Sequence, residues 1–296
     1  MTSTLPTTGS PSLATMARIE ARRFVRNPLF LVGFLAAMGL LLPIAVLNDD
    51  PQVSDLLSWP VLPAFFIGLP SLLAMARQTR STDSAAEALG SAPGTEARRT
   101  LALAIACLVP FAAGLVWLAA MLLITVTHDV HADEWWFHTA SDLHVGSVLL
   151  ALVPVAGLGG GLLGLLTGRW LRFPGSSVVV LVATVFVCIL TDAVTDTDRA
   201  EIRLVVPWTL FHSGTFDDGT QRLYEGNATA YLGYLLCLCA AAVLAAVWHD
   251  RTARTARLKV IFAAAVVVGL ACLALAATTG IEETLVSDPI PWKVAE

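Results

Sequence analysis

RQTRSTDSAAEALGSAPGTEARRT, residues 77–100, separates two strongly apolar runs and carries arginines at both ends. Arg77, Arg80, Arg98 and Arg99 resist transfer across a bilayer, so this stretch belongs on the cytoplasmic side, and the side of every other segment follows by alternation. Within it, Ser84-x-x-Glu87 has the spacing of a capping box. Ala85, Ala88 and Leu89 share one helical face, Gly90 suits a helix end and Pro93 blocks a restart. The pattern predicts a helix of roughly eight residues, too short to be stable alone in water, so it needs something to dock against.

The flanking runs follow the same logic. The chain is 296 residues long, 56% hydrophobic and 14% charged, against about 25% charged in soluble domains. Seven apolar runs stand near 28–47, 57–76, 101–126, 145–167, 175–194, 229–248 and 260–279. Each is about the ~20 residues a helix needs to cross a hydrocarbon core. None alternates in polarity as barrel strands do. The expectation is an all-α polytopic membrane protein with one transmembrane domain over 28–279. The first run is longer than the core of a signal peptide, so it reads as a retained span.

With residues 77–100 inside the cell, only Arg199, Arg203, Arg222 and Lys293 of the 18 Lys and Arg fall on the outer side. All but five of the 23 acidic residues fall there too. This asymmetry predicts seven crossings with a cytoplasmic N-terminus and an external tail at 280–296.

Residues 1–12 are rich in Thr, Ser and Pro and read as disordered. Over 13–27, Leu13, Met16 and Ile19 recur at helical spacing while the arginines fall largely elsewhere. That pattern predicts an amphipathic helix lying among the lipid headgroups. Asn27-Pro28 then turns the chain into the first span. Pro60, Pro63, Pro70, Pro110 and Pro154 fall in spans two to four, where each removes a backbone donor and favours a bend. Gly157, Gly160, Gly161 and Gly164 put small residues on nearly one face of span four. That face predicts close helix packing, within the chain or between two copies. The formal GxGxxG at Gly159, Gly161 and Gly164 follows no strand and is read as packing, not as a nucleotide site.

Chemistry of other kinds is sparsely signalled. The chain has no GxxxxGK[ST], HExxH or GxSxG. The five cysteines all lie in apolar runs as small hydrophobes. His128, His131, His138 and His144 lack a fixed ligand spacing, and the neighbouring Trp135-Trp136-Phe137 reads as an aromatic belt. No metal, cofactor or nucleic-acid partner is expected. No Lys, Arg or acidic residue sits deep in a span, which argues against an ion-coupled carrier. Residues 195–228 hold VVPWTLFHSGTF, too short to span and read as a re-entrant or interfacial piece. Arg251, Arg254 and Arg257 read as a collar at the headgroups.

The order of features resembles the permease subunits of type 2 ATP-binding-cassette exporters. It runs from a basic amphipathic helix and span one, through a kinked span two, to an arginine-rich loop with a short helix and Pro before span three. The resemblance covers about 13–250 and rests on Arg77–Arg80, Ser81–Leu89, Pro93 and Arg98-Arg99. It implies that the short helix is a coupling helix seated in a separate cytoplasmic ATPase, with Ser81, Asp83, Ser84, Glu87, Ala88, Leu89 and Pro93 at the contact. It also implies that ATP binds that partner, that a second permease copy or paralogue pairs with this chain, and that the substrate is a lipid, drug or peptide. The family core has six spans and this sequence has seven runs. From another class, the chain reads as a non-transporting anchor or sensor scaffold that holds a cytoplasmic partner.

Overall fold

The computed structural model describes residues 12–42, 59–88, 95–127, 140–171, 173–194, 200–212 and 222–286. Helix α1 (Leu13–Val25) begins where the Ser12 hydroxyl accepts the Thr15 amide at 3.2 Å. It ends at Arg26, and Asn27 caps the next helix by accepting the Leu29 amide at 3.0 Å. Pro28 takes the first position of α2 (Pro28–Gly39), where its missing N–H costs nothing.

Three irregular helices form the middle of the molecule. Helix α3 consists of Val61–Pro63, a π turn at Ala64–Gly68, and Leu69–Ala88. Helix α4 (Glu96–Thr127) is interrupted at Cys107. Helix α5 (Asp142–Trp170) has a π turn at Ala151–Val155. Each irregularity lies at or just before a proline, namely Pro70, Pro110 and Pro154. The proline ring pushes away the carbonyl four residues earlier, and a local change of pitch absorbs the displacement. Spans two to four, where bends are expected, thus each carry a break in the regular helical pattern beside a proline.

Helices α6 (Ser176–Val194), α7 (Ala228–Trp248) and α8 (Ala256–Thr278) complete the set. A small antiparallel clip joins β1 (Arg222–Leu223) to β2 (Leu285–Val286) beyond the ends of α7 and α8. It pairs part of the segment read as the C-terminal tail, and it relies on Gly280, whose φ of 99° suits glycine.

Helix α5 is the centre of the fold. Of its apolar stretch 72% is buried, against 11% for α8, which lies at the periphery. Glycines let its neighbours approach to backbone contact. A Cβ on Gly160 would stand 2.8 Å from the Gly68 Cα, and one on Gly164 would stand 2.9 Å from the Leu72 Cα, both in α3. A Cβ on Gly157 would meet the Pro110 carbonyl of α4 at 2.7 Å, and Gly161 faces Cys107. The glycine face therefore packs within this chain. The buried Trp117 of α4 donates to the Ala37 carbonyl at 2.9 Å and holds α2.

Helices α3, α4, α5, α7 and α8 are long and apolar enough to cross a membrane, while α2 and α6 contain shorter apolar helices. The separate short helix expected after span two is not formed over the described residues. Helix α3 instead continues without a break to Ala88, so Ser84 lies inside a helix and caps nothing. No glycine or proline interrupts 71–88. Ser81 and Thr82 each donate to the Gln78 carbonyl at 2.9 Å, spending their hydroxyls within the helix.

Candidate functional site

The polar residues at the C-terminal part of α3 are bonded to three other helices, and through them to two more. Gln78 donates to Glu20 of α1, at 2.9 Å to the carbonyl and 2.7 Å to the carboxylate. Arg23 of α1 pairs with Glu20 at 3.1 Å and donates to Ser81 Oγ at 3.0 Å and Thr82 Oγ1 at 3.2 Å. Glu20 and Arg23 thus turn toward α3, while Ile19, on the expected apolar face, remains 53% exposed. Arg80 donates to Ser176 at the start of α6.

Asp83 is the second anchor. Its carboxylate lies 2.6 Å from Nη1 of Arg169, near the end of α5. The Arg169 side chain is 1% exposed, and it also lies 3.6 Å from Glu96 at the start of α4. Glu96 in turn meets His249 Nδ1 at 2.5 Å, just past α7. Asp250 accepts the Ala97 amide at 2.9 Å, at the positive end of α4. Burial pushes the Asp250 carboxyl up, but the Thr252 hydroxyl and amide, the Ala97 amide and Arg99 outweigh it and hold it below the usual range. A polar hollow of about 460 Å³ opens beside this chain of contacts, between Trp170, His249, Arg251 and Arg254.

Of the residues expected at a partner contact, Ser81 and Ser84 are exposed and Asp83 is partly buried by Arg169. Glu87 and Ala88 lie on the last turn of α3. Leu89 and Pro93 lie outside the described residues, as do His128, His131 and His138. Sequence reading missed Arg169, Glu96 and His249. Arg169 could have been found as the first charged residue after 26 uncharged ones in a row, a position that demands a partner. Glu96 and His249 carry no such signal.

A second constellation lies toward the other end. Residues 203–212 are mostly buried, among them Leu204, Thr209 and Phe211. Tyr231 and Tyr234 of α7 donate to the carbonyls of Val206 at 2.7 Å and Val205 at 2.8 Å. Tyr234 is about 9 Å along α7 from its start, at ~1.5 Å per residue, so the segment dips between the helices. Arg203 donates to the Leu210 carbonyl and to the Glu225 carbonyl, closing the dip at its mouth. At its tip is Trp208, with φ of 73°. Its indole approaches the place a Gly68 Cβ would occupy to 3.4 Å.

This is a polytopic α-helical membrane protein with a polar latch at one end and a segment inserted between helices toward the other. Compared with protein-family models, curated proteins and solved structures, the chain matches none.

Proposed function

We propose that the protein is the membrane-spanning permease subunit of an ATP-driven exporter in the bacterial plasma membrane. A separate cytoplasmic ATPase binds the end of α3, and a second permease copy or paralogue completes the assembly. The latch end faces the cytosol, because it gathers Arg23, Arg80, Arg169, Arg251 and Arg254. Helix α1 then lies at the inner headgroups with Ile19 toward lipid.

One observation carries the reading. Residues 78–83 are joined by side-chain bonds to α1, α5 and α6, and through Arg169 and Glu96 to α4 and α7. A partner that displaces the end of α3 therefore loads five other helices at once, as a coupling element must. The substrate is a lipid, drug or peptide-like molecule, in keeping with the apolar lining of the membrane interior.

The test is recovery of the ATPase. Glu87→Arg and Leu89→Asp are expected to abolish its co-purification and coupled transport while leaving membrane insertion intact. Full recovery with both variants overturns the proposal, and recovery of a partner without nucleotide hydrolysis identifies a scaffold instead.

A further inference from the structure

Trp208 stands out on backbone grounds. It is the one non-glycine residue with positive φ among those described, and for a bulky side chain that conformation is strained. Such strain persists where the surroundings over-determine it. Here Cys188 bonds the Pro207 carbonyl at 3.3 Å, and the Tyr231 hydroxyl accepts the Thr209 amide at 3.2 Å. The residues on both sides of Trp208 are therefore held, and the indole is directed inward.

The indole borders two separate cavities. One, of about 220 Å³, lies between α5 and α7 and is walled by Leu162, Leu163, Leu235 and Leu238, with Gly159 in its floor. The other, of about 70 Å³, lies between α3 and α6 beside Val61, Phe65 and Val185. Neither is lined by a charged residue or a histidine. Each has a lipid-facing lip, at Leu238 (39% exposed) and at Phe65 (41% exposed). An enclosed apolar cavity of about 150 Å³ stays dry and takes up a hydrocarbon. The larger cavity exceeds that volume and opens toward the acyl region of the bilayer.

We infer that the α5–α7 cavity is a binding site for one acyl chain of a bilayer lipid, and that Trp208 is the wall closing it from the α3–α6 cavity. The occupant follows from the surroundings. At this depth the neighbouring solvent is hydrocarbon, the lining offers nothing to pair with a charged headgroup, and the opening faces the membrane. Trp208 fixes how deep the chain reaches. This rests on the permease reading only for the sense in which a bound lipid would be cargo.

The experiment uses the full chain in phosphatidylcholine nanodiscs doped with a phosphatidylcholine that carries a diazirine on one acyl chain. After irradiation, adducts are mapped by mass spectrometry. The expected result is labelling of Leu162, Leu163 and Leu235 several-fold above that of Val267 and Leu270, which lie on the exposed face of α8. Nothing stands within 4 Å of a Cβ added at Gly159, so Gly159→Phe fills the cavity and is expected to remove the excess. Trp208→Ala is expected to extend labelling to Val61 and Val185. Cavity labelling no higher than on α8, or unchanged in Gly159→Phe, overturns the site. Labelling of Val61 and Val185 that does not rise in Trp208→Ala overturns the role of Trp208. No ATPase is present, so this result is separable from the partner test. A chain that labels as expected but recruits no ATPase is a lipid-binding scaffold.

Discussion

Arg169 is a cation removed from water and answered by two carboxylates that keep about a third of their exposure. Replacing it with methionine preserves much of the packing and leaves Asp83 and Glu96 facing each other without the charge between them. Breaking a fully buried pair costs about 3–5 kcal/mol. Because water still reaches both carboxylates, Arg169→Met is expected to cost nearer 2 kcal/mol, read as a lower unfolding temperature in detergent. His212, the last residue of the inserted segment, gives a second test at this scale. Burial pushes its imidazole down to about 3 from the usual 6.5. The unfolded chain therefore takes up a proton below pH 6.5 that the folded chain refuses. Stability from this residue is complete above that pH and is lost as pH falls toward 3. Relative to His212→Gln, the unmodified protein is expected to lose about 1.4 kcal/mol per pH unit between 6 and 4, measured by thermal unfolding across that range. An equal pH dependence in both proteins would show that His212 is not the group responsible.

At the scale of elements, glycines decide which helices touch. Gly164→Val is expected to force α5 away from α3, because its Cβ would meet the Leu72 backbone, which cannot rotate aside. Overpacking of this kind costs about 1–3 kcal/mol, and insertion without stable folding is a fitting result. Gly146→Ala, on the same helix, meets nothing within 4 Å and is expected to hold or slightly raise the unfolding temperature, since alanine favours a helix over glycine by about 0.5–1 kcal/mol. The helices and this packing face were legible because apolar length and glycine spacing are local properties of the chain. The end of α3 was read less well. A capping box at Ser84 and Glu87 is a local signal too, but Arg23 and Gln78 tie that segment to α1 from far away in sequence. Those contacts favour an unbroken helix over a new start. The latch itself was invisible beyond Arg169, since Glu96 and His249 gain meaning only when α4 and α7 end side by side.

For the whole molecule, the arrangement of charge across the bilayer is the property to test. Ser84 is exposed on α3, so Ser84→Cys supplies a thiol in the latch region. The native cysteines lie in apolar runs. In intact cells an impermeant maleimide is expected to leave the introduced thiol unmodified, and permeabilisation is expected to expose it. Labelling in intact cells would place the arginine-rich end outside and remove the basis for an ATPase partner. The reading of 195–228 as an interfacial or re-entrant piece came from an apolar dozen too short to cross, and the described part of that stretch packs between helices. Its closure by Arg203 could not be read, because an arginine bonding to backbone carbonyls leaves no pattern in sequence.

The contact between α3 and α5 has a mechanical consequence. From Gly68 against Gly160 to Thr79 against Gly168, the two backbones are too close to slide past one another. They behave as one stiff shaft over that length. Toward the other end both helices pass into π turns, Ala64–Gly68 and Ala151–Val155, where the wider turn interrupts the regular hydrogen-bond ladder. A torque applied at Asp83 would act on both helices together over that length and meet its first break in regular helix at this double joint, beside the indole of Trp208.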